Sequence, residues 1–482
     1  MIKERLSSID TVMVRVDNPA SVNVVTGLMI FGAPVRQDRV EQIIETRVLR
    51  FDRFRQRLVT PEQSWRTPYW EDASRIDFDY HLKEVTLSPP GDRAALQELI
   101  SALAVEPLDS AHPLWQMHLV GPRDRGYAMI CRVHHSLADG VGLAHVVLSM
   151  TDTETDNPAS AARRDPGGPA PARINTRRQR ARALARRGVD TLISLPSSQE
   201  VLQGGIDAVT DLSDLLLSPA DTDTVLRGEP SIAKRVAWSE PIALDEIKAI
   251  GHRMGATVND VLLAATAGAV RSYLLACGTS LDGAAVRALV PVSVRPPGAE
   301  MQLGNRIGVI FVPLPVELAD PAERLAELKW WMDNQKGSFQ VPVIHRAMQA
   351  AGRLPAKPLN LAVDYLCTKA SVVVTNVKGP AEQRSLAGAP LEEIMFWIPR
   401  YGGIGVALTI ISYAGQVWVG AISDRDTVSD PETVIADFRD ELDVLLVQAS
   451  AQESPPPAPS LASQLDRTLA SLDEILTNGT AP

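Results

Sequence analysis

The sequence predicts a folded α/β (α+β) protein, and three observations carry that expectation. Over the first ~150 residues, β-rich runs alternate with apolar residues at helical spacing. A second set of such signals begins near Lys234 and runs to about residue 450. The 482-residue chain is 45% hydrophobic, 22% charged and 5% aromatic, which fits a globular protein and excludes a disordered or fibrous one. Such a length suffices for two large units, or three of ~150 residues, with a sizeable core.

In chain order, Ser21 to Phe31 is a β-rich run ending at Gly32. Val40, Ile43, Ile44, Val48 and Leu49 then recur at helical spacing, with Asp38 placed to cap the helix. Tyr127 to Val133 reads as a buried strand running into His134, and Val141 to Met150, beyond Gly140, as a helix. Composition shifts after that, with Pro158, Pro166, Gly167, Gly168, Pro169 and Pro171 preceding an arginine cluster from Arg173 to Arg187. Between 161 and 190 nine arginines meet only two acids, Asp165 and Asp190, which marks a surface linker with a basic segment. Further strands are expected around Arg287–Val294, Ile307–Val316 and Ser371–Val377. The tail carries Pro455, Pro456, Pro457 and Pro459, after which Leu461, Leu465, Leu469, Leu472 and Leu476 repeat at the spacing of a docked or partner-binding helix. No internal repeat is evident. The resulting boundaries are 1–154, 155–232, 233–450 and 451–482.

Lys plus Arg number 48 and Asp plus Glu 58, so the net charge is −10, and without a basic domain nucleic acid is not the expected partner. Cys131, Cys277 and Cys367 are far apart and fit neither a disulfide framework nor a metal spacing, so a reducing cytoplasm is expected. The N-terminus turns charged at once and shows neither a signal-peptide apolar region nor a myristoylation glycine. Tyr401 to Ser423 is uncharged, but Gly402, Gly403, Gly405, Gly415 and Gly420 interrupt it. Ser412-Tyr413-Ala414-Gly415-Gln416 splits it like a turn between two buried strands, better than a helix spanning ~30 Å of hydrocarbon. The expectation is a soluble chain, or at most a peripheral one.

The segment richest in chemistry is His134-His135-Ser136-Leu137-Ala138-Asp139-Gly140, between an apolar strand and an apolar helix. Histidine makes up only 8 of 482 residues, and capping by Asp139 accounts for the aspartate but not for two adjacent histidines. Metal binding is disfavoured because adjacent residues of an extended run face opposite ways, and the other histidines lie in no ligand spacing. Asn259-Asp260 follows Thr257 at the start of an apolar segment. There Thr257 suits an N-cap and Asp260 the helix dipole, while Asn259 could instead aim an amide at a developing oxyanion.

The histidine motif resembles that of the CoA-dependent acyltransferase superfamily, and the surrounding sequence looks like the bacterial wax ester synthase/diacylglycerol acyltransferase family. The resemblance runs from about Leu6 to about residue 450. It includes Arg53-Phe54-Arg55-Gln56-Arg57-Leu58, Phe78-Asp79-Tyr80-His81, Pro107-Leu108-Asp109 and Pro113-Leu114-Trp115. Later segments are Val258-Asn259-Asp260-Val261, Pro291-Val292-Ser293-Val294-Arg295, Gly304-Asn305-Arg306, Asn376-Val377-Lys378-Gly379-Pro380 and Ser412-Tyr413-Ala414-Gly415. Lys378 stands where the family more often has proline. Each motif alone is weak; their order and spacing make the match.

The resemblance implies two chloramphenicol-acetyltransferase-like domains with mixed sheets, joined by a linker, with an active-site channel between them. It implies His135 as the catalytic base, a role suited to an imidazole of reference pKa ~6.5 that must deprotonate an alcohol. His134 would orient the loop or help to position substrate. Asp139 would be structural, facing away from the substrate to pair with an arginine, for which Arg295 is the candidate, unless it is merely a surface cation at a strand end. Ser136 adjoins His135, but sequence neighbours rarely align for nucleophile–base geometry. Met395-Phe396-Trp397-Ile398 suits the core better than an acyl tunnel, and the 173–187 arginines suit a solvated linker better than contact with lipid or CoA phosphates.

The implied activity is acyl-CoA-dependent O-acylation of diacylglycerol or of a long-chain alcohol, with acyl-CoA as co-substrate and no other cofactor or metal, in a cytoplasmic protein attached at most peripherally to the inner membrane or to lipid droplets. The rival readings are a superfamily acyltransferase acting on a polyketide-type or carrier-bound substrate, and a non-catalytic lipid-binding or droplet-coating protein.

Overall fold

The computed structural model describes residues 3–63, 65–123, 126–153, 217–295, 303–335 and 340–451. The arginine cluster of 173–187 and the leucine repeat of 461–476 lie outside the described residues.

Two seven-stranded mixed sheets dominate. The first runs in the order Leu82–Val85, Trp115–Arg123, Gly126–His134, Val24–Phe31, Ala389–Trp397, Arg384–Leu386 and Asp152–Thr153. Its first pair is parallel and the others antiparallel. The second orders Ile242–Ala243, Gln416–Asp424, Val406–Tyr413, Val372–Lys378, Arg287–Ser293 and Ile307–Pro313, with Lys234–Trp238 also paired to Gln416–Asp424. A small three-stranded sheet joins Lys3–Arg5, Tyr69–Asp72 and Gln56–Val59.

The second half of the chain thus lends two strands to the first sheet. Ala389–Trp397 pairs antiparallel with Val24–Phe31, setting Phe396 opposite Gly27 and Trp397 opposite Thr26. One continuous core results, in which Leu28, Met29 and Ile130 share a cluster with Met395, Trp397, Trp418 and Ile422. Burial on this scale, at roughly 25 cal/mol per Å² of apolar surface, binds the two sheets into one body.

The uncharged stretch 401–423 forms the antiparallel strands Val406–Tyr413 and Gln416–Asp424. Ala414 and Gly415 both adopt positive φ, 47° and 79°, as a two-residue hairpin turn that matches strand twist demands. Among the described residues no helix is long and apolar enough to cross a membrane. Lys378 is exposed at the end of its strand, in register with Ser412, and Gly379 donates its N–H to the Ser412 carbonyl at 2.8 Å.

Several separated motifs meet as packing rather than chemistry. The Trp115 indole donates to the Phe54 carbonyl at 2.9 Å, and the buried His81 ring stacks on Trp115 with centroids 4.0 Å apart. Asp38 is a correction: the helix Gln37–Ile43 begins after Arg36, which holds the extended N-cap position without a side-chain cap. Asp38 lies inside the first turn, where it favours the helix dipole and pairs with Arg36 at 2.7 Å.

Candidate active site

The strand Gly126–His134 is buried along nearly its whole length and delivers the two histidines at its end. His134 is 4% exposed. Its Nδ1 accepts from the Ser136 N–H at 3.1 Å, so Nε2 carries the proton and donates to Asp17 Oδ2 at 3.3 Å. The fully buried Ser136 hydroxyl lies 2.8 Å from the same Nδ1, turned to His134 rather than to His135.

His135 continues the ladder, its N–H donating to the Asn23 carbonyl at 2.9 Å. Its Nδ1 is 3.1 Å from Asn305 Oδ1. The Asn305 amide can stand only one way round. Its Nδ2 donates to Asp10 Oδ1 at 2.8 Å and to the His135 carbonyl at 2.7 Å, and flipped it would set an oxygen against two acceptors. Oδ1 therefore accepts from His135, Nδ1 carries the proton, and Nε2 keeps its lone pair. Burial holds the His135 imidazole below its ordinary value, which favours the neutral ring.

Asp10 reaches this network from the helix Ser8–Arg15, which Ser7 caps by accepting from the Asp10 N–H at 3.1 Å. The Asp10 carboxylate is itself buried, at 3% exposure, and also accepts the Asn305 backbone N–H at 3.0 Å.

Asp139 caps the helix Gly140–Ser149 by accepting from the Gly142 N–H at 3.0 Å. Its Oδ2 accepts from Arg295 Nη2 at 2.8 Å, from Arg295 Nε at 3.0 Å and from the Arg306 N–H at 3.0 Å. Arg295 is no surface cation, for both side chains are almost wholly buried. With so many donors on its two oxygens, Asp139 fixes the loop. Arg295 Nη2 also donates to the Gly304 carbonyl at 2.5 Å, while the Gly304 N–H donates to the Leu137 carbonyl at 3.1 Å. The histidine loop and the Gly304-Asn305-Arg306 segment are thereby stitched together, which is what brings Asn305 to His135.

Asp260 completes a capping box at the start of the helix Val258–Ala276, its Oδ2 accepting from the Thr257 N–H at 2.8 Å and hydroxyl at 2.7 Å. Asn259 is half-buried in that first turn, and among the described residues no hydrogen bond connects it to the histidine loop. Asp10, Asp17 and the role of Asn305 were not legible beforehand. Asp10 lies 125 positions before His135 in the chain and looks like an ordinary first-turn acid, so only the fold brings it to the motif.

Comparison with known proteins identifies the family. Residues 6–262 match the wax ester synthase/diacylglycerol acyltransferase catalytic domain, and residues 303–446 match the WS/DGAT C-terminal domain. The probable diacylglycerol O-acyltransferase tgs1 of Mycobacterium tuberculosis is 27% identical over 426 residues, spanning 86% of this chain and 89% of that protein. A putative diacylglycerol O-acyltransferase of M. tuberculosis strain CDC 1551 is 29% identical over 418 residues, spanning 83% and 87%. The solved wax ester synthase/diacylglycerol acyltransferase from Marinobacter aquaeolei VT8 shares the fold with a TM-score of 0.66 at 23% identity, over 93% of this chain and 100% of that one. The first condensation domain of the calcium-dependent antibiotic synthetase shares it with a TM-score of 0.60 at 15% identity, over 95% and 100%. The chain belongs to the wax ester synthase/diacylglycerol acyltransferase family of acyltransferases.

Proposed function

We propose that the chain transfers the acyl group of a long-chain acyl-CoA to the hydroxyl of diacylglycerol, of a long-chain alcohol, or of both, with His135 as general base. The observation that carries this reading is the Asn305 amide, which accepts from Nδ1 and leaves Nε2 as the basic atom. The acceptor hydroxyl gives its proton to Nε2 as its oxygen bonds to the thioester carbonyl carbon. The tetrahedral oxyanion then re-forms the carbonyl and expels CoA thiolate, which takes the proton back from the imidazolium. Oxygen ester and free CoA leave, and neutral His135 is regenerated. A thiol with a pKa of ~8.5 is a far better leaving group than an alkoxide, so no acyl-enzyme is needed. Asn259, at the N-terminus of a long helix, is the side chain assigned to the oxyanion in this reading.

Peripheral contact with lipid is part of the same reading. Leu361 and Tyr365 are exposed on the helix Ala356–Cys367, with Leu354 just before it. Flotation with anionic vesicles, expected for the wild type and lost in Leu361→Glu, tests that contact separately.

The deciding experiment is thiol release from palmitoyl-CoA with diacylglycerol or hexadecanol as acceptor, for wild type and His135→Ala. Removing the base is expected to cost ~100- to 10,000-fold. Release untouched by the substitution overturns the His135 mechanism. Lipid retention without release, with either acceptor, identifies a lipid-binding protein instead.

A further inference from the structure

Where the two halves of the chain meet, two buried cations share one carboxylate. Asp424 ends the strand Gln416–Asp424, and Lys234 stands opposite it in register at the start of Lys234–Trp238. Arg400 follows the strand Ala389–Trp397 and is buried, as is Asp424, while the Lys234 side chain is 7% exposed. Arg400 donates from Nη2 to Asp424 Oδ2 and from Nη1 to the Ile404 carbonyl. The same carboxylate accepts from the Ser231 N–H at 3.0 Å and from the Ser231 hydroxyl. Lys234 Nζ donates to the Ser231 carbonyl, but it stays 3.4 and 3.5 Å from the two Asp424 oxygens, beyond an ordinary hydrogen bond. Burial and the neighbouring Arg400 push the Lys234 ammonium down to about 8, so it is still mostly charged at pH 7. One positive charge is left over.

Both cations line a small cavity, together with Val22, Val24, Ala104, Ile422 and the exposed Ile232. The Nε of Arg400 is buried and, among the described residues, meets no acceptor. A bare donor on a buried guanidinium is costly, and a second cation beside it adds to the cost. The cavity offers about 20 Å³ to the centre of a water-sized sphere, where a single water needs roughly 10–15 Å³ by the same measure. One water or one halide ion fits, and a phosphate group does not. Charge decides between the two, because a water would satisfy Nε but leave the extra cation unbalanced. The helix Arg93–Ala104 ends at the cavity, yet its dipole offsets at most about half a charge. Asp426 also attracts Lys234, but it is exposed and screened by solvent.

We propose that this cavity binds one small monovalent anion of the size of chloride, held between Arg400 Nε and the Lys234 ammonium, and that the ion fastens the two halves of the chain to one another. Val22 and Val24 in its wall belong to the first half, whereas Lys234, Arg400 and Ile422 belong to the second. Val24 pairs with His134, and the neighbouring Asn23 carbonyl accepts the His135 N–H, so the ion secures the strand end beside the histidine motif. The site stands apart from the acyl-transfer chemistry, and its test needs no substrate.

The test joins a solution measurement to diffraction, both on the full chain. The melting temperature is followed at constant ionic strength while sodium gluconate, whose anion is too large for the cavity, is replaced by sodium chloride. The wild type is expected to rise by about 2 °C as chloride passes from zero to well above its dissociation constant. Lys234→Met removes the surplus charge while Asp424 keeps Arg400 and Ser231, so this variant is expected to fold and to lose the chloride response. Crystals soaked in sodium bromide are expected to show an anomalous peak within about 3.5 Å of Arg400 Nε and Lys234 Nζ, a signal that water cannot give. A water or a side chain at that position overturns the proposal. So does a chloride response that is missing in the wild type or equal in wild type and Lys234→Met. A bromide peak without a chloride response in solution marks an adventitious ion only and overturns it too. Should Lys234→Met fail to fold, the wild-type response and the bromide peak together still decide.

Discussion

Asn305 grips His135 at two points, accepting from the His135 ring Nδ1 at 3.1 Å and donating to the His135 backbone carbonyl at 2.7 Å. The grip is directional because Asp10 anchors the amide nitrogen. Asn305→Ala is expected to cut kcat ~10- to 100-fold with a smaller change in KM, since the ring loses its tautomer and orientation rather than its substrate. Asp10→Ala releases the amide to flip and is expected to lose activity similarly, whereas Asp10→Asn, which keeps an acceptor oxygen, recovers most of it. Equal losses for Asp10→Ala and Asp10→Asn would show that charge, not amide orientation, is what Asp10 supplies.

Asp139 and Arg295 form a buried pair whose separation leaves an uncompensated charge. Asp139→Ala is expected to cost ~3–5 kcal/mol of stability and to loosen the histidine loop. Arg295→Met alone is expected to cost a comparable amount, but the double substitution less than the sum, because no lone charge then remains. Denaturant unfolding of the two single variants and the double variant measures the coupling. Strict additivity would mean the two side chains do not stabilise one another.

Ser136 is occupied by His134, with its hydroxyl 2.8 Å from that ring. Ser136→Ala is expected to keep activity within about tenfold of wild type, because only an orienting hydrogen bond is lost. Intact-mass spectrometry during turnover is expected to show no acyl adduct. An adduct present in wild type and missing in Ser136→Ala would replace direct transfer with a covalent mechanism.

What the sequence made legible follows from contiguity. The histidine motif, the Thr257 cap and the turn at Ala414-Gly415 are local patterns, and each is local in the structure too. The apolar run Tyr127 to Val133 identified the strand that the structure shows as Gly126–His134 but could not name its neighbours. Nothing in 389–397 says that it pairs with Val24–Phe31, because strand periodicity is the same whichever sheet the strand joins. Asp10 and Asp17 were hidden for a related reason. A carboxylate in a first helical turn or a loop has a sufficient local explanation, and its remote partner appears only when the chain closes.

The low basicity of His135 sets the pH dependence of turnover. Burial disfavours the imidazolium, so the acid limb of kcat/KM is expected to have its midpoint below the ordinary ~6.5. Rates with palmitoyl-CoA from pH 4.5 to ~8 locate that limb. A midpoint near or above 7 would contradict the burial of the ring.

Stability has its own acid limb, set by histidines outside the site. His81 and His118 are both buried, and burial lowers each to about 4. Above ~6.5 folded and unfolded chains are both neutral at these positions and the stability is full. Between there and pH 4 the unfolded chain binds protons that the folded chain refuses, so stability falls as the pH falls. At pH 5 each histidine is expected to remove ~2 kcal/mol. The Nε2 of His118 is buried without a hydrogen-bond partner, so His118→Leu deletes a titrating group at little packing cost. The drop in unfolding free energy between pH 7.5 and pH 5 should then be ~2 kcal/mol smaller in His118→Leu than in wild type. Equal drops would mean that the folded chain already accommodates a protonated His118, and that its acid sensitivity comes from elsewhere.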